Sequence, residues 1–252
     1  VASHDLKAPL RAISTLAGWI EEDLEGRLTA EGKDQMRLLR RRVARMDGMI
    51  EGVLQYSRVG RMESAGEVVD VAELVAEVIE VQAPPPGFVV RTLSDMPVLV
   101  TKRLRLEQVF ANLINNAIKY HDRSTGRIEI RAERRDDFYE FVVEDDGPGI
   151  APEHHERVFV MFQTLQPRDE VESTGLGLAL VKKLVEEEGG EITLESEVGQ
   201  GARFRFTWPA EAPLGKGEDA AVSDREAARG SAPVSPAASG SGSRRDARDA
   251  VP

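Results

Sequence analysis

Read from the N-terminus, the apolar positions Leu6, Leu10, Ile13, Ala17, Ile20 and Leu24 recur in alternating steps of four and three. That spacing lays one stripe along an α-helix. A second stripe of Met36, Leu39, Val43, Met46, Ile50 and Val53 keeps the alternation, and the stretch around Gly26 and Gly32 between them is short. The pattern predicts a helical hairpin. Stripes this narrow bury little within one pair of helices, so a dimeric four-helix bundle with a second copy is expected. The alternative is a hairpin folded against the domain that follows.

Beyond Ser57 the periodicity fails, and Gly60, Ser64 and Gly66 mark a linker. A mixed pattern follows. It predicts a helix near 72–81, β-rich runs at 88–92 and 98–100, and a long helix over 106–120. Strands at 127–132 and 138–144, a helix over 175–188 and closing strands at 191–195 and 203–208 complete it. Strands grouped with helices on one side indicate an α+β two-layer sandwich. From Glu211 to Pro252 the chain is rich in Ala, Gly, Ser, Pro and charge and holds no aromatic residue, a composition expected of a disordered tail. The expected organisation is a hairpin over 1–58, a linker over 59–66, an α+β domain over 67–210 and a tail over 211–252.

Composition narrows the function. The chain has 252 residues, 41% hydrophobic and 31% charged, enough for one large domain or two small ones. Its apolar runs are broken within a few residues by charge, so no membrane span is expected, nor a signal peptide. With no cysteine there is no disulfide framework, which fits a reducing cytoplasm. A formal net charge of -11 argues against nucleic acid as a partner but leaves room for a local pocket holding one nucleotide.

Candidate chemistry begins at His4. With Leu6 at a buried heptad position, His4 and Asp5 fall off the stripe. Pro9 inside the same helix removes the N–H that would bond the Asp5 carbonyl, loosening the turn beside both residues. An exposed imidazole next to a carboxylate on such a turn is a candidate nucleophile with its orienting base. The run Ser3-His4-Asp5-Leu6-Lys7-Ala8-Pro9-Leu10 resembles the phosphoacceptor box of sensor histidine kinases, and the hairpin resembles their dimerisation and phosphotransfer domain.

Further motifs follow in that family's order. On the helix from Leu106, Asn112 and Asn116 are four apart and share a face with Lys119 and Tyr120, opposite Val109, Leu113 and Ala117. Asparagine is mediocre within a helix, so two on one face call for a reason. The run resembles the family's asparagine box. The resemblance implies Asn116 as a ligand of magnesium, Asn112 on the phosphate side, Lys119 offering charge to phosphates and Tyr120 beside adenine. After a predicted strand, Asp145-Asp146-Gly147-Pro148-Gly149 lets backbone approach a ligand while a carboxylate accepts from an amino group. It resembles the first glycine box, in which Asp145 would accept from the adenine amine. Arg157 to Phe162 resembles the phenylalanine box beside the ATP lid. Ser173-Thr174-Gly175-Leu176-Gly177-Leu178 opens a helix, where free N–H groups suit a triphosphate, and resembles the second glycine box, with Ser173 where glycine is common.

The resemblance covers roughly residues 1–209. It implies a GHKL-type ATP-binding fold and an ATP- and magnesium-dependent protein histidine kinase. Such a kinase phosphorylates His4, acts as a homodimer and passes the phosphoryl group to an aspartate of a response regulator receiver domain. The sensor domain would lie upstream, outside this chain, and the site is expected in the cytoplasm even where a longer parent is membrane-attached. Ala8 stands where the family often has Thr or Asn to orient a hydrolytic water, so a weak phosphatase is expected. His154 and His155, being consecutive, make no metal site. The run of Arg40, Arg41, Arg42 and Arg45 reads as a solvated face, with a surface for an acidic partner as the alternative.

Overall fold

A computed structural model describes residues 2–59, 65–165 and 173–210, with side chains given throughout except at residues 2–6 and 58. Most of the expected linker, residues 166–172 between the phenylalanine and second glycine boxes, and the expected tail over 211–252 lie outside the described residues. Two helices, α1 (Ala2–Asp23) and α2 (Ala30–Arg58), form the hairpin. α1 runs unbroken through Pro9. α2 begins where the Thr29 side chain accepts a hydrogen bond from Gly32 N–H, which satisfies one of the donors every helix start leaves open. Gly32, read from sequence as part of the connection, therefore lies in the first turn of α2.

The two apolar stripes divide their work. Leu10, Ala17 and Val43 are buried between the helices, whereas Ile13, Ile20, Leu39, Met46 and Val53 stay exposed, joined by Leu16 and Trp19. A helix pair has one seam, so half of each stripe faces outward. Ion pairs set the alignment: Lys7 with Glu51 near one end, Arg40 with Glu21 at 2.9 Å near the other.

The rest is a two-layer α+β sandwich. A short ribbon pairs β1 (Glu67–Asp70) antiparallel with β3 (Val98–Thr101), and a five-stranded sheet has the order β2-β4-β5-β7-β6. Its strands are β2 (Phe88–Thr92), β4 (Gly126–Arg135), β5 (Phe138–Asp145), β6 (Ile192–Ser196) and β7 (Ala202–Pro209). Only β2 and β4 run parallel; the other neighbours are antiparallel. The helices are α3 (Val71–Gln82), α4 (Arg103–Lys119) and α5 (Gly177–Glu187). β1 did not stand out in the sequence, because three of its four residues are exposed and alternation over four positions carries little signal.

Along the strands, side chains alternate between two environments. Ile128, Ile130, Phe141, Phe204 and Phe206 meet Phe110 and Leu113 of α4 and Val181 and Leu184 of α5 in one core. Phe110 sits edge-on to both Phe141 and Phe206, the geometry aromatic quadrupoles favour. Trp208 closes that core and donates from its indole to Thr101 Oγ1 at 2.9 Å. The outward face carries charges that pair across strands, among them Arg203 with Glu144 at 2.7 Å and Arg205 with Glu195 at 3.0 Å. Such a face stays solvated and needs no second layer. Among the described residues, no helix is long and apolar enough to cross a membrane.

Candidate nucleotide site

α4 places its asparagines by helical arithmetic. Leu113, Ile114 and Ala117 go into the core, which turns Asn112, Asn116 and Tyr120 toward the start of α5. Asn116 and Tyr120 line a cleft whose far wall is Gly175, Gly177 and Leu178, with Gln163 and Leu165 at its rim. The floor of that wall is the beginning of α5, which has no side-chain cap. Its first N–H groups, at the positive end of the helix dipole, form a seat for an anion.

Two glycines shape the cleft. Gly175 has φ +67°, and a Cβ there would lie 2.6 Å from the Gln163 carbonyl oxygen. Its own carbonyl accepts from Phe162 N–H at 2.8 Å, tying the second glycine box to the phenylalanine box. Phe162 itself is a non-glycine residue at φ +65°, an uncommon conformation for an aromatic side chain. Gly177 lies so close to α4 that a Cβ would come 2.8 Å from Asn112 Oδ1. The Asn112 amide nitrogen donates back to Gln108 C=O at 2.7 Å, leaving the oxygen toward Gly177. Asn112 thus stands behind the cleft rather than in its lining.

Ser173, at the position often held by glycine, has a use for its hydroxyl. It accepts from the Tyr120 phenol and, at 3.4 Å, from Gly175 N–H. This joins the end of α4 to the second glycine box. Lys119 lies 5.8 Å from the Tyr120 ring centroid.

Asp145 ends β5 beside this cleft's neighbouring loop. Burial raises its carboxyl above the ordinary carboxylate range, opposed by hydrogen bonds from Gly147 N–H at 2.9 Å and Ala202 N–H at 3.3 Å. Gly149, at φ +69°, sits where a Cβ would fall 2.0 Å from the Glu197 carbonyl oxygen, so the loop is nested on the turn between β6 and β7. For Asp146, burial works against ionisation, yet Arg127 N–H, His121 and Arg123 outweigh it and hold the carboxyl low.

The predicted residues therefore fall into groups. Asn116, Tyr120, Gly175 and Gly177 line one cleft. Asp145, Gly147 and Gly149 belong to a loop outside that lining, linked to the end of α4 by His121 and Asp146. Thr174 and Leu176 turn to the hairpin instead: a Cβ at Gly48 would lie 3.1 Å from Thr174 Cγ2, and one at Gly52 2.5 Å from Leu176 Cδ1. The side chains of His4 and Asp5 lie outside the described ones; their backbone belongs to α1. Gln163, Leu165, His121 and Asp146 were not singled out from the sequence. His121 directly follows the asparagine box and Asp146 sits inside the first glycine box, but no spacing rule marks either.

Magnesium was expected at Asn116. Among the described residues no group of three His, Cys, Asp or Glu side chains could hold a metal by itself. One amide oxygen on a cleft wall fits an ion held mainly by nucleotide phosphates and water, as magnesium is.

A helical phosphoacceptor-like hairpin joined to a nucleotide-binding α+β sandwich defines the class of protein. Residues 101–212 match the family model of the histidine kinase-, DNA gyrase B-, and HSP90-like ATPase, and residues 1–61 match the His Kinase A phospho-acceptor domain. The two models together span more than half of the chain, which belongs to the sensor histidine kinases. Cyanobacterial phytochrome B of a Nostoc species is 36% identical over 212 residues, 82% of this chain and 28% of its own length. The methanogenesis regulatory histidine kinase FilI of Methanothrix harundinacea is 33% identical over 211 residues, 82% of this chain and 24% of its own. The crystal structure of full-length ShkA in complex with AMPPNP matches with a TM-score of 0.63 at 29% identity, covering 84% of this chain and 45% of that one. The chain thus spans about a quarter of the length of the curated relatives it matches.

Proposed function

We propose that the chain is the phosphotransfer and catalytic part of an ATP-dependent protein histidine kinase, organised as a hairpin over 1–58, a linker over 59–66 and a catalytic domain over 67–210. The observation that carries this is the convergence of Asn116 and Tyr120 with the uncapped start of α5 on one cleft, in a chain whose first helix bears a His-Asp pair before a proline. The AMPPNP in the ShkA structure supports ATP as the nucleotide.

In this reading the triphosphate lies at the α5 N-terminus, with Lys119 on the phosphate side and Asn112 supporting it from behind against Gly177, and adenine reaches Tyr120 and Asp145. Gly147 and Gly149 let the loop approach the base, Phe162 borders the cleft, and Thr174 and Leu176, turned to the hairpin, hold the second glycine box against it. Magnesium, when bound, neutralises phosphate charge, with Asn116 as its protein ligand. Asp5 holds the proton of one imidazole nitrogen of His4, so the other nitrogen's lone pair attacks the γ-phosphorus. A P–N bond forms as the bond to the ADP oxygen breaks. The phosphoryl group then passes to an aspartate of a response regulator, and the exposed stripes of α1 and α2 pair two copies into a four-helix bundle.

The test is incubation with labelled ATP and magnesium. We expect acid-labile, base-stable label on the natural chain and none on His4→Gln, whose ADP affinity stays unchanged. Label retained on the variant would remove His4 from the reaction.

A further inference from the structure

Just past the end of α4, the side chain of His121 is enclosed, 0% exposed. Its ring stands edge-on to Phe88 of β2, centroids 5.1 Å apart. The space is cut to fit: a Cβ at Gly126 would come 2.7 Å from His121 Nε2, and one at Gly147 3.4 Å from His121 Cδ2. A buried imidazole needs partners for both nitrogens. Nδ1 lies 3.1 Å from Arg123 N–H and must accept from it, since that backbone group can only donate. The neutral ring then carries its proton on Nε2, which donates to Asp146 Oδ1 at 3.2 Å. Asp122 Oδ1 is 3.7 Å from Nδ1.

Asp146 is the hub of this arrangement. The oxygen that meets His121 also accepts from Arg127 N–H at 2.6 Å, while the Arg123 guanidinium reaches the Asp146 carbonyl and lies 3.5 Å from Oδ2. Asp146 is covalently next to Asp145. Between them, His121 and Asp146 connect the end of the asparagine helix to the residue at the head of the glycine loop. Among the described residues, the Asp145 carboxylate accepts from the backbone N–H groups of Gly147 in its own loop and of Ala202. Nothing in that set refers it to α4, which carries the opposite side of the nucleotide. His121 supplies the reference.

We propose that His121 is a positioning residue for base recognition, setting Asp145 through Asp146 at the height where its carboxylate meets the exocyclic amine of adenine. The proposal rests on the nucleotide-site reading above. Its signature is specific: loss of His121 weakens the contact with the amine and leaves the phosphate seat on α5 as it was.

The experiment uses the full chain and two probes, ADP and the diphosphate of purine riboside, which carries hydrogen in place of the amine. The natural chain should prefer ADP by about ten-fold, the contribution of one hydrogen bond to a charged group. In His121→Ala the preference should fall to about two-fold or less through weaker ADP binding, with purine riboside diphosphate unchanged. His121→Gln keeps a donor near the Nε2 position and should restore most of the preference. Equal weakening of both probes in His121→Ala, with no rescue by glutamine, would make His121 a structural residue and overturn the proposal. So would a preference undiminished in His121→Ala. A natural chain with no preference for ADP would instead remove Asp145 from base recognition, and with it the reading on which the proposal stands.

Discussion

At Asp145, burial raises the carboxyl above the ordinary carboxylate range and the N–H groups of Gly147 and Ala202 only partly offset it. The sign of the consequence follows from linkage. A group whose folded pKa is raised contributes stability below its unfolded pKa and loses that contribution as pH rises through the folded value. The ionised carboxylate is therefore the form that the fold disfavours. Asp145→Asn keeps an acceptor for both N–H groups without the charge. It should raise the melting temperature at pH 7. The gain should vanish in acid below the ordinary carboxylate range, while ADP affinity falls about ten-fold or more. Calorimetry and binding on one preparation check both, and equal melting temperatures at pH 7 would contradict the account. Asp145 could be singled out from the sequence because Asp-x-Gly-x-Gly has a physical rationale. His121 and Asp146 were not, since their roles depend on Phe88, Gly126 and Arg127, which only the fold brings to them.

Elements were read where a period repeats often enough. The hairpin, α4 and the sheet strands appear from alternation alone, whereas four-residue β1 and the turns at Pro152–His154 and Arg157–Phe159 do not. The start of α2 was misplaced because glycine reads as a breaker, yet a Thr29 cap makes the first turn tolerant of Gly32. The hairpin's outward stripe gives a prediction at this scale. Ile20 is exposed on a single chain, so Ile20→Glu should cost the hairpin fold little. Within a dimer it would bury an unpaired carboxylate, which interiors do not tolerate. Sedimentation equilibrium should show dimerisation weakened by about a hundred-fold, with helix content retained. A variant that associates as tightly as the natural chain would place the dimer surface elsewhere.

Across the whole molecule, α5 works as a strut between the nucleotide cleft and the hairpin. Its first turn faces the cleft, and Lys183 in its middle donates to the Tyr56 carbonyl at 3.1 Å with its ammonium 4.2 Å from the Tyr56 ring centroid. At its far end Glu188 is buried and pairs with Lys102 at 3.0 Å and with Arg105, which also donates to the Val59 carbonyl at 2.8 Å. The second of the two hairpin arrangements expected from sequence, contact with the following domain, is thus present alongside the outward stripe. The two parts come close at Gly52, where a Cβ would lie 2.5 Å from Leu176 Cδ1. Gly52→Leu should separate the two parts, seen as a larger radius of gyration by small-angle scattering, with ADP affinity within about two-fold of the natural chain. An unchanged particle size would show that the joint does not depend on that fit. The two tryptophans stand at opposite ends of these events. Trp208 is 1% exposed in the sandwich core and Trp19 is 58% exposed on the hairpin. Indole emission moves to shorter wavelength as water is excluded, so the chain carries its own pair of optical reporters: dilution should redden Trp19 alone, and denaturant should redden Trp208.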